Sequence, residues 1–332
     1  MVTRRTRFAV LPFMFSLVAV SLTAQSLPRR TEADKLLQET VHRQNLQAVG
    51  NPPFHLLAHV RYVYLGTTKE GVYELLWAAP DHFRETVQFG KVAETDFASG
   101  DKIYITRSTS TLAPHIRRLQ YLVRHPLYPF PTDPYRLDTA TVSRVYSDPK
   151  AGTPSFCLEP GDLRDSRVCF DAATREVILL HSRWGPDGFL TTLDESDFIS
   201  IDNIRYPRRY VRRTKDEIIE VSIEKLEKAT DFAADVFVPP ANSEVRDWCL
   251  QPVLKPGSDF PTSPFPKTNP PNAFFPFYVL TKPDGRIEKF VSLNSSAPPI
   301  DSTVDKWIRK AQYPIWMCGN KAIQTELIIM SR

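Results

Sequence analysis

Beyond residue 26 the apolar positions change period several times, and each change marks an element. Thr31 is placed to cap a helix with Asp34 at its third position. Ala33, Leu36, Leu37 and Val41 then recur at helical spacing until Gly50 and Pro52 stop the run. From Phe54 the period becomes two. Strand-like runs at His55–Tyr64, Val72–Ala78, His82–Phe89, Val92–Phe97 and Lys102–Arg107 are separated by Gly66, Pro80, Gly90 and Gly100, the spacing of an antiparallel meander. Ile116, Leu119, Leu122 and Val123 form one apolar stripe, which predicts a helix over Leu112–Arg124 ended by Pro126.

Period two then resumes at Leu137–Tyr146, Ser155–Leu158, Arg167–Asp171, Glu176–Ser182, Phe189–Leu193, Asp197–Ile201, Arg209–Arg213 and Ile218–Glu227. Strands in that number, crossed by one or two helices, imply a large curved sheet with helices over its open face. Between Gln251 and Pro276 there are eight prolines, which excludes a central strand or a helix there and reads as an extended connection. The end of the chain is compact: a strand Phe277–Lys282, a turn at Pro283, Asp284 and Gly285, and a strand Arg286–Asn294. A helix from Asp301 or Ser302 follows, with Val304, Trp307, Ile308 and Ala311 on one face, and a last strand spans Lys321–Met330. The fold class is α+β: an N-terminal incomplete antiparallel β-barrel with covering helices, and a small C-terminal strand-strand-helix-strand domain.

The first residues change the picture of where the chain works. Arg4, Arg5 and Arg7, an apolar run Phe8–Val20 interrupted by Pro12, and the small-residue stretch Ser21–Ser26 have the order of a cleavable secretory signal. Cleavage after Ala24 and cleavage after Ser26 both remain open. The run is shorter than the roughly 20 residues of a membrane span. The expected division is therefore a signal at 1–26, a half-barrel at 27–240, a Pro-rich connection at 241–276 and a small domain at 277–332. The net charge is +4, three units of which belong to the signal arginines, so charge gives no argument for nucleic acid. The 29 Pro against 12 Gly suit strands with extended connections better than a nucleotide-binding fold.

Two stretches carry family resemblances. Tyr278-Val-Leu-Thr-Lys-Pro-Asp-Gly-Arg-Ile-Glu-Lys-Phe-Val-Ser-Leu, the helix from Asp301 to Trp307, Gln312-Tyr313-Pro314 and the closing strand resemble the C-terminal domain of TonB, which couples inner-membrane energy to outer-membrane receptors. TonB has Gln-Pro-x-Tyr-Pro before that domain. Here Gln251-Pro252-Val253-Leu254-Lys255 keeps only the Gln-Pro, and the long Pro/Lys spacer is missing, which counts against receptor energisation. Residues Leu36 to Pro240 are similar in layout to the lipoprotein carriers LolA and LolB, on Gly71-Val-Tyr-Glu-Leu-Leu-Trp-Ala-Ala-Pro-Asp-His-Phe-Arg-Glu, on Val168-Cys-Phe-Asp-Ala-Ala-Thr-Arg-Glu-Val-Ile-Leu-Leu, and on the closing stretch Phe198 to Phe237. The resemblances imply a non-enzymatic periplasmic protein whose barrel holds an apolar ligand, such as a lipid or lipoprotein acyl chain, and whose small domain binds an envelope protein by strand addition. The alternative is a TonB-family energy transducer held in the inner membrane by an uncleaved anchor. No ligand-contacting residue carries over.

Four cysteines, Cys157, Cys169, Cys249 and Cys318, in an exported chain predict disulfides, and three pairings are possible. The layout favours Cys157 with Cys169, on runs joined by a short turn, and Cys249 with Cys318. No pair has the spacing of a zinc knuckle, so no metal is expected. The arginines at 205, 208, 209, 212 and 213, and at 117, 118 and 124, are read as charged protection of strand edges, with an anionic partner as the functional alternative. Asp194, Glu195 and Asp197 are expected in a turn, and His55 and His59 on one side of a strand. Trp77, Trp184, Trp248, Trp307 and Trp316 are expected in the core or lining a cavity. No hydrolase, phosphate-loop or Cys-x-x-Cys motif is found, so neither a catalytic residue nor a cofactor is expected.

Overall fold

The computed structural model describes residues 27–64, 66–109, 114–127, 137, 140–148, 154–161, 166–184, 189–215, 217–233, 235–250, 252–258, 275–292 and 302–331. The expected signal, residues 1–26, lies outside the described residues, as does most of the Pro-rich stretch. Helix α1, Arg30–Gln44, starts ahead of Thr31: the Glu32 carboxylate accepts the Arg29 N–H at 3.0 Å and so takes the capping role expected of the threonine. It buries Ala33, Leu37 and Val41.

Strands β1 (Phe54–Tyr64), β2 (Thr67–Ala79), β3 (His82–Phe89), β4 (Val92–Ser99) and β5 (Lys102–Arg107) step outward as a meander. Helix α2 (Pro114–Arg124) follows, and the chain re-enters at the opposite edge with β6 (Val142–Ser147). Strands β7 (Ser155–Pro160), β8 (Arg167–Asp171), β9 (Val177–Trp184), β10 (Phe189–Ile201), β11 (Ile204–Arg213) and β12 (Glu217–Lys228) then step back inward until β12 pairs with β1, Phe54 opposite Lys228. A further strand, β13 (Glu244–Asp247), adds outside β5. The result is an open 13-stranded antiparallel sheet whose outer strands, β13 and β6, do not pair with each other.

Period-two burial fixes which face packs. Phe54, Leu56, Ala58 and Val60 of β1 are buried, and so are their cross-strand partners Trp77, Leu75 and Tyr73 on β2. Trp77 stacks between Phe54, 6.0 Å away, and Phe83, 5.5 Å away, and Trp248 closes edge-on against Phe83 at 5.1 Å. Each such pair adds about 0.5 to 1.5 kcal/mol beyond its area. At Gly71 a Cβ would lie 2.4 Å from the Gln88 carbonyl oxygen, so glycine lets β2 pass close to β3 there.

Several sequence expectations need correction. Phe189–Leu193 and Asp197–Ile201 are one strand: Asp197 takes a left-handed backbone, φ 55°, but the register with β11 is the same on both sides of it. Asp194, Glu195 and Asp197 therefore sit in a strand and not in a turn. The arginine-rich β11 lies between β10 and β12, inside the sheet, so its charges do not protect an edge. Glu244–Asp247, expected in the connection, is a sheet strand.

The C-terminal part of the chain forms two three-stranded sheets. In one, β15 (Phe275–Thr281) lies between β16 (Ile287–Ser292) and β19 (Thr325–Ser331); in the other, β17 (Trp316–Cys318) lies between β14 (Val253–Leu254) and β18 (Lys321–Ile323). The single closing strand expected over Lys321–Met330 is thus two strands. Helix α3 (Ser302–Lys310) buries Ile308 with Val279, Tyr313 and Leu327. The hairpin turn requires Gly285: its φ is 80°, and a Cβ there would lie 2.4 Å from the Tyr313 carbonyl oxygen.

The structure joins Cys157 to Cys169, which are directly opposite on β7 and β8, and Cys249 to Cys318. Cys249 follows β13 closely, so the second bridge ties the outer strand of the large sheet to β17. Ions reinforce this seam. Glu326 on β19 pairs with Arg107 (β5) at 3.0 Å and with Arg246 (β13), and accepts the Tyr278 hydroxyl at 2.7 Å. Arg107 also pairs with Glu94 and, at 3.5 Å, with Glu244. Lys321 reaches Asp101 at 3.3 Å and Asp247 at 3.1 Å.

Candidate functional site

Beside α1 lies a cleft of about 310 Å³. Leu36, Glu39, Thr40, Arg43 and Gln44 recur at helical spacing on α1 and form one wall. The turn after β8 supplies Thr174, Arg175 and Glu176, while β9, β10 and β11 supply Val177, Phe198 and Arg205.

The turn is held by Asp171, whose carboxylate accepts the Ala173 N–H at 2.9 Å, the Thr174 N–H at 2.7 Å and the Thr174 hydroxyl at 3.1 Å. Those bonds, the Thr174 N–H foremost, hold the Asp171 carboxyl below its ordinary range. They also set Arg175 in a left-handed conformation, φ 59°. Arg205 is tied down by Glu176 at 2.6 Å, by the Ser200 hydroxyl at 2.8 Å and by the Phe198 carbonyl at 3.2 Å, with its guanidinium over the Phe198 ring. Burial and then the charge of nearby Arg43 push the Arg205 guanidinium below its ordinary value, though arginine stays charged in proteins.

Arg43 and Arg175 are exposed. They have no ion-pair partner among the described residues. Glu39 is engaged with Lys35 at 3.6 Å on the rim. The cleft therefore presents two uncompensated guanidinium groups beside the apolar side chains of Leu36, Val177 and Phe198.

Beneath them the chemistry is buried. Gln44, 2% exposed, donates Nε2 to Glu195 at 2.8 Å and leaves its Oε1 without a partner. Burial pushes the Glu195 carboxyl up to about 8, against the pull of the Gln44 hydrogen bond, so Glu195 is protonated at neutral pH. Further along the packed face, the Tyr206 hydroxyl donates to the Val123 carbonyl and lies 3.0 Å from that of Tyr210. Tyr73 donates to Glu85 at 2.6 Å, and Arg124 of α2 reaches the same carboxylate at 3.5 Å. His125 is driven down to about 3 by burial and then by Arg124, and stays neutral.

The structure distributes the residues singled out in the sequence. Arg205 alone of its cluster lines the cleft; Arg208 pairs with Asp197 at 3.4 Å, Arg213 with Asp194, and buried Arg212 with Glu217 at 3.5 Å. The side chains of Arg117, Arg118 and Trp184 lie outside the described residues. His55 and His59 pair with Glu74 at 3.0 Å and Glu224 at 3.1 Å. Trp77 and Trp316 are buried, and Trp248 and Trp307 pack partly buried against the two cores. Among the described residues the grouping of potential metal ligands is Asp148 with Cys157 and Cys169, and its two sulfurs are already joined to each other. Sequence reasoning missed Arg43, Gln44 and Arg175; their common helical face or turn was visible, but its meeting with β11 was not.

No protein-family model matches the chain, and no curated protein matches it. Solved structures do. A LolA-superfamily protein from Nitrosomonas europaea is 12% identical, covers 62% of this chain and 96% of its own, and superposes with a TM-score of 0.38. A putative outer membrane lipoprotein-sorting protein domain from Vibrio parahaemolyticus is 11% identical, with coverages of 63% and 97% and a TM-score of 0.39. The MucA/MucB complex of Pseudomonas aeruginosa matches at 14% identity over 90% of this chain and 93% of that one, with a TM-score of 0.25. None of these descriptions mentions a TonB domain, and at such scores the open sheet is defined by its own strand order.

Proposed function

We propose that the chain is an exported, non-enzymatic binding protein of the cell envelope that takes an amphipathic ligand in the cleft beside α1. The observation that carries this reading is the cleft itself: two exposed guanidiniums without carboxylate partners among the described residues stand next to Leu36, Val177 and Phe198. Export is supported by the order of charged, apolar and small residues at the amino terminus, and by the two disulfides, which suit an oxidising compartment. Among the described residues no helix is long and apolar enough to cross a membrane. The ligand is placed in the cleft and not against the sheet because Phe54, Leu56, Ala58, Tyr73, Leu75 and Trp77 have no exposed area left to offer an acyl chain.

The test uses cis-parinaric acid, a fluorescent fatty acid, and the disulfide-bonded chain. Saturable fluorescence is expected with the wild type and is expected to vanish in Thr40→Trp, which fills the cleft from α1. Unchanged binding in that variant would remove the cleft from the function. Amino-terminal sequencing of fractionated cells checks export: an intact Met1 in the inner membrane would reject it in favour of the anchored transducer.

A further inference from the structure

We propose that the Cys249–Cys318 bridge is a reducible latch, and that its opening by a protein dithiol lets the C-terminal sheets lift from the end of the large sheet that they cover. The inference is independent of what the cleft binds. The two bridges differ in access. Cys157 and Cys169 are fully buried within the large sheet, whereas Cys249 and Cys318 are both partly exposed. An attacking thiolate must reach a sulfur directly, so of the two bridges only the second is open to exchange without prior unfolding. One thiolate of the dithiol attacks a bridge sulfur, the S–S bond breaks, and a mixed disulfide and a cysteine thiolate form. The second thiol of the dithiol then breaks the mixed disulfide. In total the bridge gains two electrons and two protons, and the dithiol leaves as a disulfide.

What the bridge holds is a contact of charges. The register runs from Phe83 to Ala98, Ile103 and Arg246, and from Val87 to Glu94 and Arg107, so both arginines and Glu94 lie on the packed face toward its β13 end. The C-terminal sheets meet the two arginines there through Glu326, whose carboxylate also accepts the Tyr278 hydroxyl, and Lys321 reaches Asp101 and Asp247. The apolar clusters stop short of that line. One contains Phe83, Ile103 and Ile105, the other Val279, Ile308, Tyr313 and Leu327, and among the described residues no buried apolar cluster spans the two. Tyr278 and Leu280, on the same face of their sheet as Glu326, are buried but join neither. Parting at the seam exposes little apolar surface beyond these two side chains, which is the property of a contact that opens locally. Reduction leaves the chain between Asp247 and Val253 as the one covalent link across it.

Stepwise treatment of the folded full chain with dithiothreitol, followed by alkylation and peptide mapping, is expected to release Cys249 and Cys318 together, about tenfold faster than Cys157 and Cys169. Hydrogen exchange on the selectively reduced chain is expected to rise about tenfold in β5, β13 and β19, to stay unchanged in β1, β2 and β3, and to return to its starting rate on reoxidation. Cys249→Ser/Cys318→Ser should exchange like the reduced wild type. Equal reduction rates for the two bridges overturn the latch. Unchanged exchange in β5 and β13 of the reduced chain overturns the cover, and so does an equal rise in β1 to β3, which would make the bridge a support of the whole fold. None of these outcomes bears on cis-parinaric acid binding, so failure here is separable from failure of the cleft.

Discussion

The seam between the large sheet and the two small ones, and the cleft beside α1, are both built around arginines, and they differ in what closes the charge. At the seam, Arg107 and Arg246 are each 5% exposed and are enclosed by Glu94, Glu244 and Glu326 of the same chain. At the cleft, Arg205 has Glu176, but Arg43 and Arg175 have no partner of their own among the described residues. A buried guanidinium without a carboxylate is too expensive to keep, so the seam must be electrically complete. An exposed one costs little and stays available to a ligand. The contrast separates charge that holds the fold from charge that faces outward.

The largest effect should come from Glu326→Gln, which takes from two buried guanidiniums the carboxylate they share and leaves Glu94 and Glu244 to balance them. A loss of about 3 to 5 kcal/mol is expected in chemical denaturation. A loss below 1 kcal/mol would show that the seam is solvated and would break the comparison. Next, Cys249→Ser/Cys318→Ser opens the longer bridge, 69 residues apart in sequence, against 12 for Cys157 and Cys169. On the chain-entropy relation the longer bridge is worth about 4 kcal/mol and the shorter about 3. Denaturant midpoints of the two double variants would order them, and the reverse order would mean that the seam holds without its bridge.

Glu195 supplies a smaller effect with the opposite sign. Its carboxyl is held at about 8 in the folded protein, above the unfolded value, so the native state keeps a proton that the unfolded chain releases. Stability therefore falls as pH rises from roughly 4.5 to about 8. Glu195→Gln, which keeps the neutral shape, should raise stability by about 2 to 3 kcal/mol at pH 7 and by nothing at pH 4. Thermal melts at the two pH values check this, and an equal shift at both would show that the gain is not electrostatic. The smallest effect is expected from Arg43→Ala or Arg175→Ala, within about 0.5 kcal/mol of the wild type. A larger loss in either would place that arginine with the seam.

Much of this was legible along the chain because strands with one packed face advertise it at every second residue. His82–Phe89, Lys102–Arg107 and Arg167–Asp171 have the bounds that their alternation predicts. Cys157 and Cys169 were readable as partners because a short hairpin puts them opposite each other. What alternation does not encode is which meander lies beside which, so the β1–β12 pairing was hidden. Asp197 looked like a turn residue because its left-handed backbone is what aspartate tolerates in turns, yet the ladder runs through it. Gln44, Arg175 and Arg205 are ordinary in their local segments, and only that hidden pairing order brings them together.

The arrangement of two meanders that meet in the middle also sets a kinetic problem. β1 is among the first strands to emerge and finds β2 at once, but its other edge waits for β12, with Phe54 pairing to a residue 174 positions later. At roughly 5 to 20 residues per second that edge stays open for about 10 to 30 seconds of chain emergence. During that interval Phe54, Leu56 and Ala58 border a bare row of backbone donors and acceptors in an immature chain, a template for pairing with a neighbour. High contact order at the centre of the sheet thus makes β1 a point of aggregation risk in the nascent chain.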